Sequence, residues 1–272
     1  LVASCALAFA PSHAAFAAPK AKAKEATKPT SKSDLDALAQ KLSGSEETVI
    51  AALQSIASTA DPATVPLVVD LLRRGGSQPV LEEALKTAGK LKDPSLSAPI
   101  APYVRHRVPE IRQAAVRTLL KTKGPDAVDA LKQGLRSVDA VVRGTSATGL
   151  GALGAKDSLP ELFTAFDHGV ADAAGAIGQL CAPADCDKFA ERTGTVAFDI
   201  MVSGFDQILF RAPTDIPDDE KLKLVGRMRE LGTEEVGKYL SDVGERWPKE
   251  WSKKVKQAID SAAKAVSGGK KE

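Results

Sequence analysis

A chain of 272 residues, 43% of them hydrophobic, is long enough for one large domain or two small ones and apolar enough to bury a core. Only 4% is aromatic and Ala and Leu dominate, which suits closely spaced helices and argues against sheets, since strands favour aromatic and β-branched residues. The formal charge of +2 excludes a global pull toward nucleic acid; from Ser33 to Ser252 the balance is 26 Lys+Arg against 32 Asp+Glu, so the excess positive charge lies in the tails.

The N-terminal stretch LVASCALAFAPSHAAFAAPKAKAK begins apolar, ends in small residues and contains Ala15-Phe16-Ala17, an A-x-A cleavage pattern. Residues 1–17 are therefore expected to be an export signal, with the mature chain starting near Ala18 in the periplasm or outside the cell. The segment has neither an initiating Met nor a positive n-region, so the true N-terminus is expected upstream. Pro11, Ser12 and His13 interrupt an apolar run already short of the about 20 residues of a spanning helix, so no transmembrane anchor is expected. One alternative is a buried amphipathic helix. Another is lipid anchoring at Cys5, because VASC resembles a bacterial lipobox, although the apolar run continues past it to the second cleavage pattern. Residues 18–32 alternate Lys with Ala and Pro, offer nothing to bury, and are expected to be a disordered linker.

A helical region is predicted over 33–266. Marker positions recur at Asp61, Asp93, Gly124, Asp157 and Asp185, at spacings of 32, 31, 33 and 28 residues. Such periods mark solenoids, in which each unit buries its apolar face only against its neighbours. Each unit divides into a short first helix with an early Pro (Pro66, Pro99, Pro160) and a second helix with apolar i, i+4, i+8 spacing. The second helices carry Ile111, Ala115 and Leu119, then Val142, Ser146 and Leu150, then Val170, Ala174 and Gly178. Gly149, Gly151 and Gly154 each cost about 1 kcal/mol of propensity if helical, which close helix approach would offset; the last equally suits a helix C-cap.

The phrase DAVVRGTSATGLGALG, echoed by PEIRQAAVRTLLKTKG and more faintly by QPVLEEALKTAGKLKD, resembles the HEAT repeat D-x-x-V-R-x-x-A-x-x-L-G-x-L. It is most similar to the short bacterial variety also found in phycobilisome lyases, and the resemblance covers residues 45–192. It implies an all-α, right-handed solenoid of antiparallel helix pairs, five to seven in number. It also implies that Arg112 and Arg143, at the consensus Arg position, link neighbouring units through carboxylates.

In CAPADC, Cys181 and Cys186 are the only cysteines beyond the leader; an even count in an exported chain reads as a disulfide across Pro183, with two reduced thiols as the alternative. The stretch TGTVAFDIMVSGFDQILFR, with Phe198, Met201, Phe205, Ile208 and Leu209, is predicted to be a deeply buried helix. Residues 215–266 give about three more helices, a polar-faced C-terminal cap in which Pro248, between Trp247 and Trp251, suits a first helical turn. Residues 267–272 are expected to be a disordered tail.

No phosphate loop, nucleophile elbow or H-E-x-x-H motif occurs. HEAT-like hydroxylases bind iron through His-Glu pairs and this chain has no His-Glu dipeptide; HEAT-like DNA glycosylases act on a substrate not met outside the cytoplasm. Catalysis by His106 or His168 would need an oriented partner, and neither lies in a Cys/His cluster. No catalytic, metal or cofactor site is expected. Charge gives the better clue: from Tyr103 to Arg143 there are nine Lys+Arg against four Asp+Glu, and from Asp157 to Glu220 three against thirteen. Arg105, Arg107, Arg117 and Lys121 have no consensus role and form the candidate partner-binding patch, with a merely solvated face as the alternative. The reading is a non-catalytic exported adaptor that binds a protein or peptide in the cell envelope. Binding of an anionic envelope polymer through the basic patch is the second class, and an enzyme of unrecognised type the third.

Overall fold

The computed structural model describes residues 31–268. The expected leader, Cys5 and nearly all of the expected linker and tail lie outside the described residues. Among the described residues the chain forms fifteen α-helices and no strand, only one isolated bridge between Thr193 and Val196. The first helices in chain order are α1 (Lys32–Lys41), α2 (Glu46–Thr59), α3 (Val65–Arg74), α4 (Gln78–Leu91) and α5 (Ser97–Ile100). Next come α6 (Pro109–Thr122), α7 (Ala127–Gly134), α8 (Ala140–Ala152), α9 (Leu159–Asp167) and α10 (Ala173–Leu180). The series closes with α11 (Pro183–Ala190), α12 (Phe198–Leu209), α13 (Asp218–Leu231), α14 (Glu234–Arg246) and α15 (Lys253–Gly268). Helix α1 starts at Lys32 because Ser31 and Asp34 cap it reciprocally, each side chain accepting from the other's backbone N–H. Helix α15 continues to Gly268, two residues past the expected boundary.

The architecture is an α-solenoid. Helices α2, α4, α6, α8, α10 and α12 each pack on the next, and the shorter α3, α5, α7 and α9 each return alongside the helix that follows. The repeating phrase explains this arrangement. Ile111, Ala115 and Leu119 of α6 are fully buried, as are Val142, Ser146 and Leu150 of α8. One stripe per helix thus meets both neighbours, and no unit has a core of its own. The Asp markers work locally: the side chains of Asp61 and Asp93 cap 3-10 turns by accepting from the N–H groups of Ala63 and Ser95, with Pro at the next position.

Three local expectations need correction. Val170 is buried but precedes α10, because Gly169 at φ +84° turns the chain and the Val170 N–H donates back to the Ala165 carbonyl. The first helix containing Pro99 is only four residues long and passes into a 3-10 turn at Ala101–Arg105, since Pro102 lacks the N–H a longer helix requires, whereas Pro99 sits in the first turn where none is needed. Pro248 lies in the turn between α14 and α15, where its carbonyl accepts from the Trp251 N–H. Gly154 does take the left-handed position after α8: its N–H reaches the Gly151 carbonyl and that of Ala155 the Leu150 carbonyl, a Schellman closure.

The stack changes its joinery along its length. In the N-terminal half, buried hydroxyls bridge units. Thr87 Oγ1 donates to the Leu53 carbonyl at 3.2 Å, Thr118 Oγ1 shares its proton between the Leu85 carbonyl at 3.1 Å and the Ala114 carbonyl of its own helix at 2.8 Å, and the Tyr103 hydroxyl donates to the Leu72 carbonyl at 2.6 Å. From α8 onward glycines bring backbones together: a Cβ on Gly178 would stand 2.4 Å from the Gly204 carbonyl oxygen, and one on Gly204 2.5 Å from the Phe189 ring. Beyond α12 a polar chain ties the cap down. The Arg211 guanidinium donates to the Cys181 carbonyl at 2.6 Å, and the fully buried Lys221 Nζ donates to the Arg211 carbonyl at 2.6 Å while facing the rings of Trp251 (4.3 Å) and Trp247 (5.4 Å). The Cys181 and Cys186 sulfurs stand at bonding distance with Cα atoms 5.3 Å apart, joining the end of α10 to the first turn of α11 across Pro183.

Candidate docking groove

The loops ahead of α6 and α8 adjoin, and the consensus arginines fix them. Arg112 Nη1 donates to the carbonyls of His106 (2.9 Å) and Arg107 (3.0 Å); 31 residues on, Arg143 Nη1 donates to those of Ser137 (2.8 Å) and Val138 (3.1 Å). Each guanidinium clamps the loop ahead of its own helix. Arg112 also reaches the next unit, 3.5 Å from the Asp139 carboxylate. Arg143 does not, which corrects the inter-unit role expected of it: among the described residues no carboxylate comes within pairing distance. The next unit's Asp172 instead lies against Gly144, so close that a Cβ there would be 2.3 Å from its Oδ2. Asp139 caps α8 through the N–H groups of Val141 and Val142 and accepts from Gln113 Nε2 at 3.0 Å. That Gln113 bond, joined by the backbone donors and the Arg112 charge, holds its carboxyl below the usual range in spite of desolvation.

Two adjoining bays open beside these loops. The first, about 500 Å³, is walled by Arg105, Arg107, Lys132, Arg136 and Val138; the second, about 420 Å³, by Leu135, Pro160, Thr164, Ala165 and Val170. Arg136 and Glu161 line both. Lys132 is neutralised by Glu161 at 3.3 Å. Arg105, Arg107 and Arg136 are exposed, and their guanidinium groups have no hydrogen-bond or ion-pair partner among the described residues. Beside them Val138 is 90% exposed, the most exposed large hydrophobic residue described. The two histidines flank the groove with backbone partners: His106 Nδ1 accepts from the Val108 N–H, and the His168 Nδ1–H donates to the Thr164 carbonyl at 2.8 Å. Among the described residues no three His, Cys, Asp or Glu groups are placed to hold a metal ion.

The sequence patch is therefore split. Arg105 and Arg107 lie in the first bay, whereas Arg117 and Lys121 are exposed on α6 and line neither bay; the Lys121 stem runs over Gly89 of α4. The residue sequence reasoning missed is Arg136. Its signal was present, for Arg136 follows Arg105 by the same 31 residues that separate Arg143 from Arg112, and Val138 follows Arg107 likewise.

Residues 69–151 and 96–180 match the family model of HEAT repeats, and these matches span the units that build the groove. No curated protein sequence matches it. Among solved structures it is similar to the complex of CpcE and CpcF of phycocyanin lyase from Nostoc sp., at 16% identity and a TM-score of 0.45 over 89% of this chain and 98% of that one. It is also similar to an engineered protein (14% identity, TM-score 0.40, covering 87% and 97%) and to a designed armadillo repeat protein (13%, 0.35, covering 86% and 92%). Among the described residues no helix is long and apolar enough to cross a membrane.

Proposed function

We propose that this HEAT-repeat stack is a non-catalytic adaptor of the cell envelope, exported by its leader, which holds a protein partner in the groove along its loop edge. One observation carries the reading: Arg105, Arg107 and Arg136 stand in a row of rigidly clamped loops with no counter-charge of their own, beside the exposed Val138. Unpaired cations next to apolar surface, on a scaffold whose repeats present an extended face, form an interface awaiting its other half. An anionic polymer would use the cations but leave Leu135, Pro160, Ala165 and Val170 of the second bay without an apolar partner, which favours a protein. Export is supported by the A-x-A pattern and by the pairing of Cys181 with Cys186, which an oxidising compartment would preserve.

The test is a photo-crosslinker at Val138 in the native protein, irradiated in cells and analysed by mass spectrometry. A defined protein adduct in the envelope fraction is the expected result. Polysaccharide or lipid adducts would favour the polymer reading, and adducts confined to cytoplasmic proteins would defeat the envelope assignment.

A further inference from the structure

The two bays differ in chemistry and are offset by one unit, and this constrains what fits. We infer that the groove binds an extended peptide in a polyproline-like conformation, with an acidic side chain in the first bay and an aliphatic one in the second, three residues apart. The inference rests on the reading of the groove as the partner site and specifies its ligand.

The first bay takes the acid because Arg105, Arg107 and Arg136 can donate to a carboxylate without giving up an internal bond. The second takes the aliphatic group against Leu135, Pro160, Ala165 and Val170, which share its wall with Arg136, Arg143, Glu161, Thr164 and His168. The spacing follows from the solenoid. The bays belong to successive unit junctions, and neighbouring packed helices lie about 8–10 Å apart. In a polyproline helix, residues three apart point the same way and are separated by about 9.3 Å. A β-strand puts same-side residues about 7 Å or 14 Å apart, short of the offset or beyond it. An all-helical edge also offers no strand with which a β-peptide could pair, whereas a polyproline backbone is satisfied by water.

The experiment is fluorescence anisotropy of the purified protein with labelled proline-rich octapeptides at physiological salt. Each peptide carries one Glu and one Leu separated by one to four positions, with controls lacking either. The peptide of spacing three should bind at least tenfold more tightly than the Glu-only control. Combined R105E, R107E and R136E should abolish binding, while Thr164→Phe, which fills the second bay from an exposed position, should reduce every peptide to the Glu-only level. Circular dichroism checks the fold of each variant, and Thr164→Glu should give the same loss should the aromatic group disturb it. Affinity independent of Leu and of spacing, with heparin competing as well as peptide, overturns the inference in favour of a simple polyanion site. Absence of binding by all peptides overturns it too, as would self-association that the triple variant breaks, which would put a second copy in the groove. A crosslinked partner retained by the triple variant would leave the adaptor reading standing and remove only this one.

Discussion

Arginines five or seven positions apart have opposite jobs along the groove, and the distinction is visible in what each guanidinium touches. Arg112 and Arg143 are half-buried and spend their donors on loop carbonyls; Arg105, Arg107 and Arg136 spend none. Arg112→Ala and Arg143→Ala should each destabilise the fold by about 1–3 kcal/mol through orphaned carbonyls, whereas the triple Glu variant should shift the thermal midpoint only within the small range of surface changes. Differential scanning fluorimetry separates the two classes. The cost at Arg112 falls mainly on the loop, because Asp139 keeps Gln113 and two backbone N–H donors after the guanidinium is gone. Lys221 gives a second residue-scale test. Burial lowers its pKa, outweighing the help of Asp218, with Arg211 adding to the lowering. A depressed folded-state pKa means that the unfolded chain binds the proton more tightly. Stability should therefore rise with pH between the folded value and the ordinary lysine value near about 10.4. Across that alkaline window the urea midpoint of the native protein should climb relative to that of Lys221→Met, the difference isolating Lys221 from the raised pKa values of Tyr103 and Tyr239. The consensus arginines were legible in one sequence because they repeat, and Arg136 was legible by the same register. Lys221 was not, since its surroundings come from α12, α13 and the turn after α14, which no local pattern joins.

Between neighbouring helices, glycine decides how near two backbones come. Gly178 faces a carbonyl oxygen that cannot swing aside, whereas nothing lies within 4 Å of a Cβ placed on Gly226 of α13. Alanine gains roughly 1 kcal/mol of helix propensity at either site. At Gly178 overpacking should exceed that gain and leave a net loss; Gly226→Ala should show the gain itself. Chemical denaturation of the two variants should give opposite signs, and a gain at both would mean that α10 and α12 are not in close contact. Second helices were readable because one stripe serves every unit; the split first helix was misjudged because Pro99 fits a first turn, whereas Pro102, three residues on, stops the helix lengthening. The crowding of α10 on α12 left only a faint trace in the sequence, a run of small residues whose partner lies 26 positions away at Gly204.

Along the whole molecule, stability is set by neighbours, so each end has one fewer. Helix α1 contributes no buried residue of its own, while α4, α6 and α8 are enclosed by units on both sides. Native-state hydrogen exchange should therefore be fastest in α1 and slowest in those central helices, graded with distance from the end rather than uniform. A single protection value across all helices would contradict a one-dimensional stack.

The threonines of α4 and α6 each reach a carbonyl one helix back, Leu53 and Leu85, whereas past α8 close approaches such as Gly178 on Gly204 are fitted to one particular neighbour. Interchangeable joints allow insertion. A duplicated unit between α4 and α6 would present Thr to one side and a helix carbonyl with a spare lone pair to the other, and the chain would lengthen with the same joint repeated. The same duplication between α10 and α12 would confront the Gly178–Gly204 approach with a mismatched surface. The molecule is thus extensible at its N-terminal end and fixed in length at the other, and gene duplication could move the groove along the axis by whole units without rebuilding it.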